Sequence, residues 1–198
     1  MKSKLKVVEI FNSIQGEGGN AGKSATFIRL YNCNLNCSFC DTDWHAGTDM
    51  TVEELLQEVQ KYKTKLLIWT GGEPTLQLTN EILSHFDGYY HAIETNGTNP
   101  VPTSINYISC SPKVDVAVLK TNFLKVDEFR FPVVAGDVLP SIDDLPPATH
   151  YFLSPMFDGE KMKKMEMNIQ NVNYCLSLIE KDPRWSLSVQ LHKILNVR

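Results

Sequence analysis

The sequence predicts a single α/β domain spanning residues 1–198, and three observations carry that expectation. Short β-rich runs alternate with amphipathic helical patterns, the order that parallel βαβ units require. The composition is that of an ordinary globular chain, 42% hydrophobic and 21% charged, with no repeat or linker-like run to divide it. Four successive strand ends carry Cys-bearing, Gly-bearing or polar segments, where ligands gather in α/β folds.

Val7–Phe11 and Thr26–Tyr31 read as the first strands. Thr51–Tyr62 reads as a helix: Thr51 caps it, Glu54 stands at the capping-box position, and Val52, Leu55, Leu56 and Val59 share one face. Leu66–Thr70 is the next strand, followed by a helix over Gln77–Phe86 and strands at Tyr89–Thr95, Tyr107–Ser109, Glu128–Val134 and Tyr151–Leu153. A helix over Met167–Ile179 and a strand over Leu187–Leu191 complete the pattern, with the Pro-rich Leu139–Pro147 as a surface loop.

The net charge of −4 comes from 19 basic and 23 acidic residues without a basic block, which argues against a nucleic-acid or anionic-membrane partner and for a small molecule. Apolar runs such as Leu66–Trp69 fall far short of the roughly 20 residues of a membrane span. The first residues lack a signal-peptide core, so the expected compartment is cytoplasmic. Of the five Cys, three crowd into residues 33–40, a pattern of metal binding or catalysis rather than of a disulfide framework. Cys110 and Cys175 read as small buried hydrophobes.

Cys33, Cys37 and Cys40 place three soft thiolates on one short loop, with no fourth Cys nearby. A closed zinc site would have to recruit His45 or a distant residue, and an electron-transfer cluster normally takes a fourth Cys. In a four-iron, four-sulfur (4Fe-4S) cluster, three protein ligands leave one iron open to a substrate. A structural zinc module explains the thiols but not the glycine-rich strand ends.

The Cys-x3-Cys-x-Phe-Cys loop, with Phe39 in the aromatic position, and Gly71-Gly72-Glu73-Pro74 resemble the radical S-adenosylmethionine (SAM) superfamily. The flanks are similar to the 7-carboxy-7-deazaguanine synthase family over nearly the whole chain. The similarity rests on Phe11-x-Ser13-x-Gln15-Gly16-Glu17-Gly18, Phe27-Ile28-Arg29-Leu30, Cys40-Asp41-Thr42, Ser111-Pro112-Lys113 and Gln190-Leu191-His192-Lys193-Ile194-Leu195. Two departures are Leu195-Asn196, where the family often has Leu-Gly, and Ser154-Pro155-Met156, where some members have Gln before Pro. A radical activase that installs a glycyl radical on a protein partner shares the Cys loop and the Gly-Gly-Glu-Pro turn, but has no reason to carry Gln15–Gly18 or the tail.

The resemblance implies a trimmed, incomplete TIM-like barrel with reduced helices and a Mg²⁺-dependent lyase of queuosine biosynthesis. That lyase contracts the ring of 6-carboxy-5,6,7,8-tetrahydropterin to 7-carboxy-7-deazaguanine with loss of ammonia. It implies that Cys33, Cys37 and Cys40 hold a 4Fe-4S cluster and that Phe39, Cys40, Asp41, Gly72, Ser111, Pro112 and Lys113 contact SAM, with Thr95, Ser154, Pro155, Met156 and Phe157 as weaker contacts. Ile14, Gln15, Gly16, Glu17, Thr70 and the terminal Arg198 fall to the pterin. Arg29 falls to its carboxylate, which a planar guanidinium can grip with two parallel hydrogen bonds. Magnesium goes to Thr42, with Asp41 the competitor on chemistry alone. An external electron donor such as a flavodoxin and a homodimer are also implied.

Overall fold

The chain opens with KLKVVEIFNSI, long and alternating enough to pair on both sides, and it forms β1 (Lys4–Ile14). The computed structural model describes residues 4–38, 40, 46–157 and 167–197. β1 pairs antiparallel with β2 (Ser24–Leu30) and with β3 (Thr48–Thr51). From β2 the sheet continues parallel through β4 (Leu66–Gly71), β5 (Tyr90–Thr95), β6 (Tyr107–Cys110), β7 (Val126–Val133), β8 (Ala148–Pro155) and β9 (Trp185–Leu187). The result is one open nine-stranded sheet, an incomplete barrel.

α1 (Val52–Val59) begins in the expected capping box: Thr51 Oγ1 accepts from Glu54 N at 3.2 Å, and Thr51 N donates to Glu54 Oε2 at 2.7 Å. Its Val52, Leu55 and Val59 are buried with Leu5, Val7, Ile28, Leu30, Trp69 and Phe86 on the outer face of the first strands. α2 (Asn80–Leu83) is shorter than the Gln77–Phe86 pattern suggests, because 3-10 turns at Pro74–Leu76 and Ser84–Phe86 take up its flanks. A second apolar cluster covers β6–β9 beneath α3 (Val116–Asn122) and α4 (Ile169–Lys181), with Cys110 and Cys175 wholly buried in it. Burial pushes the thiol of Cys175 up to about 11.

Three expectations need correction. β3 was not anticipated, because TDMT has almost no apolar content and is held as an edge strand by its ladder to Lys4–Val7. α3 was also not anticipated. The last strand is Trp185–Leu187, not Leu187–Leu191: after Leu187 the chain leaves the sheet, and Leu191–Ile194 forms the helical turn α5.

Residues of the parallel strands alternate between the helix-covered face and the concave face. On β2, Ile28 and Leu30 lie in the outer core, while Phe27 and Arg29 line the concave side. Ala25, Ile68 and Ala92 pack together at the lower concave level. No helix among the described residues is long and apolar enough to cross a membrane.

Thr26, on the outer face of β2, is fully buried, and its hydroxyl has no hydrogen-bond partner among the described residues. A buried hydroxyl without a partner is a net cost that an isosteric methyl removes. Thr26→Val should therefore raise stability in urea unfolding by about 1 kcal/mol. A loss of stability would show that the hydroxyl is satisfied.

Candidate active site

The carboxyl ends of the parallel strands surround a cavity of about 880 Å³. The strand register sets its walls: Arg29 lies beside Thr70, Leu30 beside Gly71, and Glu94 beside Ser109. Cys33, Cys37 and Cys40 line it together with Thr70, Gly71, Gly72, Ser111 and Lys113. Ile14, Gln15, Gly16, Glu17 and Arg29 line it too, with Ser154, Pro155, Met156 and Phe157 from the end of β8. The segments predicted from four separate strand ends thus share one site. Pro112 does not line this cavity; it faces an adjoining groove with Val114, Asp115 and Leu139. Phe39, Asp41, Thr42 and Arg198 lie outside the described residues.

The thiol loop is fixed by its neighbour at the end of β4. Gly72 sits so close to Asn32 that a Cβ there would overlap the Asn32 carbonyl, and Gly71 has φ 120°, outside the range of an ordinary side chain. Glu73 N–H donates to Asn32 O at 2.8 Å, and Gly72 N–H to Leu30 O at 3.0 Å. The Glu73 side chain is wholly buried; it accepts from Thr75 Oγ1 at 2.6 Å, Thr95 Oγ1 at 2.9 Å and Asn96 N at 2.7 Å. Asn96 Nδ2 donates to Asn34 Oδ1 at 3.0 Å and reaches Cys33 Sγ at 3.9 Å. Burial pushes the Cys33 thiol up, and the charge of Glu73 and the thiols of Cys37 and Cys40 add to that rise against a backbone hydrogen bond at Leu35. Cys40 N–H closes a turn onto Cys37 O at 3.1 Å. Among the described residues, no three His, Cys, Asp or Glu close on a single metal ion.

Three thiols on one wall are a soft donor set suited to an iron-sulfur cluster. Close by, the backbone of Gly71 and Gly72, free of side chains, can approach a bound molecule. These residues fit a three-thiolate cluster with a cosubstrate beside it. Lys113 Nζ donates to Ser111 Oγ at 3.0 Å, and burial lowers the pKa of its ammonium, with the charge of Cys37 opposing.

The site also contains a charge network, whose Arg130 and Glu128 sequence reading missed although Glu94 falls in one of the expected strand-end segments. Gln15 Nε2 donates to Glu94 Oε1 at 2.8 Å, and Gln15 Oε1 accepts from Glu17 N at 3.2 Å. Arg130 is ion-paired with Glu94 and lies 3.9 Å from Glu17 Oε1, which also accepts from Ser154 Oγ at 3.1 Å. Glu94 and Arg130 line the cavity. The signal was present in Glu128-Phe-Arg130-Phe, a strand whose alternate positions are charged, the same pattern that singled out Arg29 in FIRL. Arg29 lines the cavity as expected, and its Nε also donates to Glu9 Oε1 at 2.8 Å. The tail closes one side: Gln190, His192 and Lys193 line the cavity, and Leu191 N–H donates to Gly16 O at 3.0 Å. His192 stands where any side chain at position 16 would go, so Gly16 is required there.

The chain is similar to several known proteins. Residues 27–109 match the radical SAM superfamily. A 7-carboxy-7-deazaguanine synthase of Bacteroides thetaiotaomicron is 41% identical over 98% of this chain and 98% of its own length. The enzymes of the same name from Neisseria meningitidis and Haemophilus influenzae are each 38% identical, over 96% and 98% of this chain and 92% and 94% of their own. The crystal structure of QueE from Escherichia coli shares the fold, with a TM-score of 0.70 at 23% identity, over 96% of this chain and 95% of that one.

Burial pushes the Glu94 carboxyl above its usual range; Arg130 opposes the rise, and Glu128 and Glu17 add to it. A carboxyl raised in the folded state contributes stability that is fully present below the unfolded value of about 4.3 and is lost as the pH rises through the folded value. The stability of the wild type relative to Glu94→Gln should therefore fall as the pH rises above about 4.3 in urea titrations. A difference that stays flat would contradict the assignment.

Proposed function

We propose that this chain, which belongs to the 7-carboxy-7-deazaguanine synthase family of the radical SAM superfamily, converts 6-carboxy-5,6,7,8-tetrahydropterin to 7-carboxy-7-deazaguanine with release of ammonia. One observation carries the reading: the three thiols and the Gly71-Gly72 backbone share a single cavity with Arg29 and Gln15–Glu17. When bound, the cluster and SAM would supply the radical chemistry that the ring contraction of the pterin requires.

The protein's share is binding and orientation. Cys33, Cys37 and Cys40 hold the cluster. The Gly72 backbone receives the amino group of SAM, with Ser111 and Lys113 toward its ribose or carboxylate. Arg29 grips the pterin carboxylate with two parallel N–H donors. Gln15 and Glu17 face the flat pyrimidine edge, which carries both donors and acceptors, and Thr70 sits beside Arg29 on the neighbouring strand. Mg²⁺ bound at Thr42, an external one-electron donor of the flavodoxin type and a homodimer complete the reading. Cys110 and Cys175 lie in the apolar core, away from these thiols.

The test is anaerobic reconstitution of the full chain with iron and sulfide, followed by turnover with SAM, the carboxylated pterin, Mg²⁺ and a low-potential one-electron reductant. The expected product is 7-carboxy-7-deazaguanine with equimolar ammonia; SAM cleavage without consumption of the pterin would contradict the reading. Cys33→Ala, Cys37→Ala and Cys40→Ala should each abolish SAM cleavage, and Cys110→Ala should not. Arg29→Lys keeps the charge but loses the two-pronged geometry, so it should weaken binding of the carboxylated pterin by roughly ten- to a hundredfold. A pterin without the 6-carboxylate should bind wild type and variant equally, and a coupling energy near zero in that cycle would remove Arg29 from the carboxylate site.

A further inference from the structure

Glu128 lies outside the cavity lining and is 1% exposed, yet three of the segments that build the site converge on its carboxylate. Gly19 N–H, from the loop after Gln15–Glu17, donates to Oε2 at 2.7 Å. Tyr107 Oη and Ser109 Oγ, on β6, donate to Oε2 and Oε1, each at 2.7 Å. Arg130 Nη1, two residues along β7, lies 3.4 Å from Oε1.

Carboxylate and loop are fitted to each other. Gly18 has φ 68°, and a Cβ on it would overlap the Glu128 carboxylate, while a Cβ on Gly19 would overlap the Tyr107 hydroxyl. The pair of glycines therefore allows the loop backbone to sit directly on buried polar groups, where no side chain would fit. The other side of the loop is tied to the tail: Gly18 N–H donates to Ser188 Oγ at 2.9 Å. Gln15 is held in turn by backbone hydrogen bonds, its N–H donating to Lys23 O and its carbonyl accepting from Gly22 N, both at 2.8 Å.

We propose that Glu128 is a positioning residue for substrate binding: it seats the Gln15–Gly19 loop and orients Arg130, and through Arg130 it fixes the Glu17 and Glu94 carboxylates that face the cavity. This rests on the reading that Gln15 and Glu17 hold the pterin edge. A glutamine has the same shape, but its carbonyl oxygen can fill only one of the two oxygen positions and its NH₂ cannot accept. Either Gly19 N–H and Tyr107 Oη or Ser109 Oγ and Arg130 Nη1 then lose their acceptor, and the seat of the loop weakens. The thiol loop and Gly72 are held separately through Asn32, Glu73 and Asn96.

The experiment compares reconstituted wild type with Glu128→Gln in three measurements: KM for the carboxylated pterin, Kd for SAM, and amide exchange across residues 14–22. Glu128→Gln should raise KM by roughly ten- to a hundredfold, leave the Kd for SAM within about twofold, and speed exchange in the loop. It should also release more 5′-deoxyadenosine per product, because a loosely held pterin misses its hydrogen transfer. If Glu128→Gln does not fold, Tyr107→Phe, which removes one donor and keeps the charge, should raise KM in the same direction by about two- to tenfold and speed the same exchange. Unchanged KM and loop exchange in the folded variant overturn the positioning role, as do equal losses of SAM and pterin binding. A wild type that neither binds nor converts the pterin removes the underlying reading instead, and the two failures are thereby distinguished.

Discussion

A carboxylate with no exposed surface, that of Glu73, joins the strand ends on which the site is assembled. An isolated carboxylate buried to this extent would cost several kcal/mol, and the cost is offset because both oxygens find donors, Oε1 from Thr75 and Thr95 and Oε2 from Asn96. The end of β4 cannot move without the end of β5. Since Glu73 and Gly72 also bond to the backbone of Asn32 and Leu30, the entry to the thiol loop is held in the same unit. The Gly-Gly-Glu-Pro turn thus does two jobs at once: its glycines leave backbone open for a ligand, and its glutamate fixes the distance from that backbone to Cys33. Asn96 extends the unit by one contact, with its backbone on Glu73 and its side-chain amide toward Cys33 Sγ.

The facing wall is built on the same principle with the charges made explicit. Glu17, Glu94 and Glu128 surround one guanidinium, and desolvation is met by hydrogen bonds from Gln15, Tyr107, Ser109, Ser154 and the Gly19 backbone. Breaking one member of such a network strands the others, which is why losses there reach about 3 to 5 kcal/mol rather than the fraction typical of exposed pairs. The contrast lies within this protein: the exposed Arg184, paired with Asp143 at 2.6 Å and with Asp182 at 2.7 Å, sits in water. A rigid site floor serves radical chemistry well, because orientation and exclusion of water are what a protein can contribute when the cofactors carry the reaction.

Much of this was readable in the sequence wherever one local signal sufficed. The parallel core followed from alternating runs, the start of α1 from the Thr51–Glu54 capping box, and the grouping of Cys33, Gly72, Ser111 and Gln15 from their places after strands. β3 and α3 were missed because their sequences carry little periodicity and are held by tertiary pairing. The end of the chain was misread because Leu187–Leu191 has strand-like content but docks on Gly16 and Gly18 instead of extending the sheet. The Glu94–Arg130–Glu128 network was missed for a different reason. Its members lie on three neighbouring strands, 15 and 19 residues apart at the Glu94–Ser109 and Ser109–Glu128 steps, and only the sheet register puts them on one level. Glu128 and Arg130 alternating within an apolar strand was the available clue.

The central claim is that one cavity holds the cluster with SAM against the thiol wall and the pterin against the Arg29 and Glu17 wall. Its most direct test is an anaerobic crystal structure of the reconstituted chain with SAM and 6-carboxytetrahydropterin. The account predicts the pterin carboxylate at hydrogen-bond distance from the Arg29 guanidinium, its pyrimidine edge toward Gln15 and Glu17, and the SAM amino group at Gly72. A pterin seated elsewhere, or one whose carboxylate is held by Lys113 and not by Arg29, would contradict it.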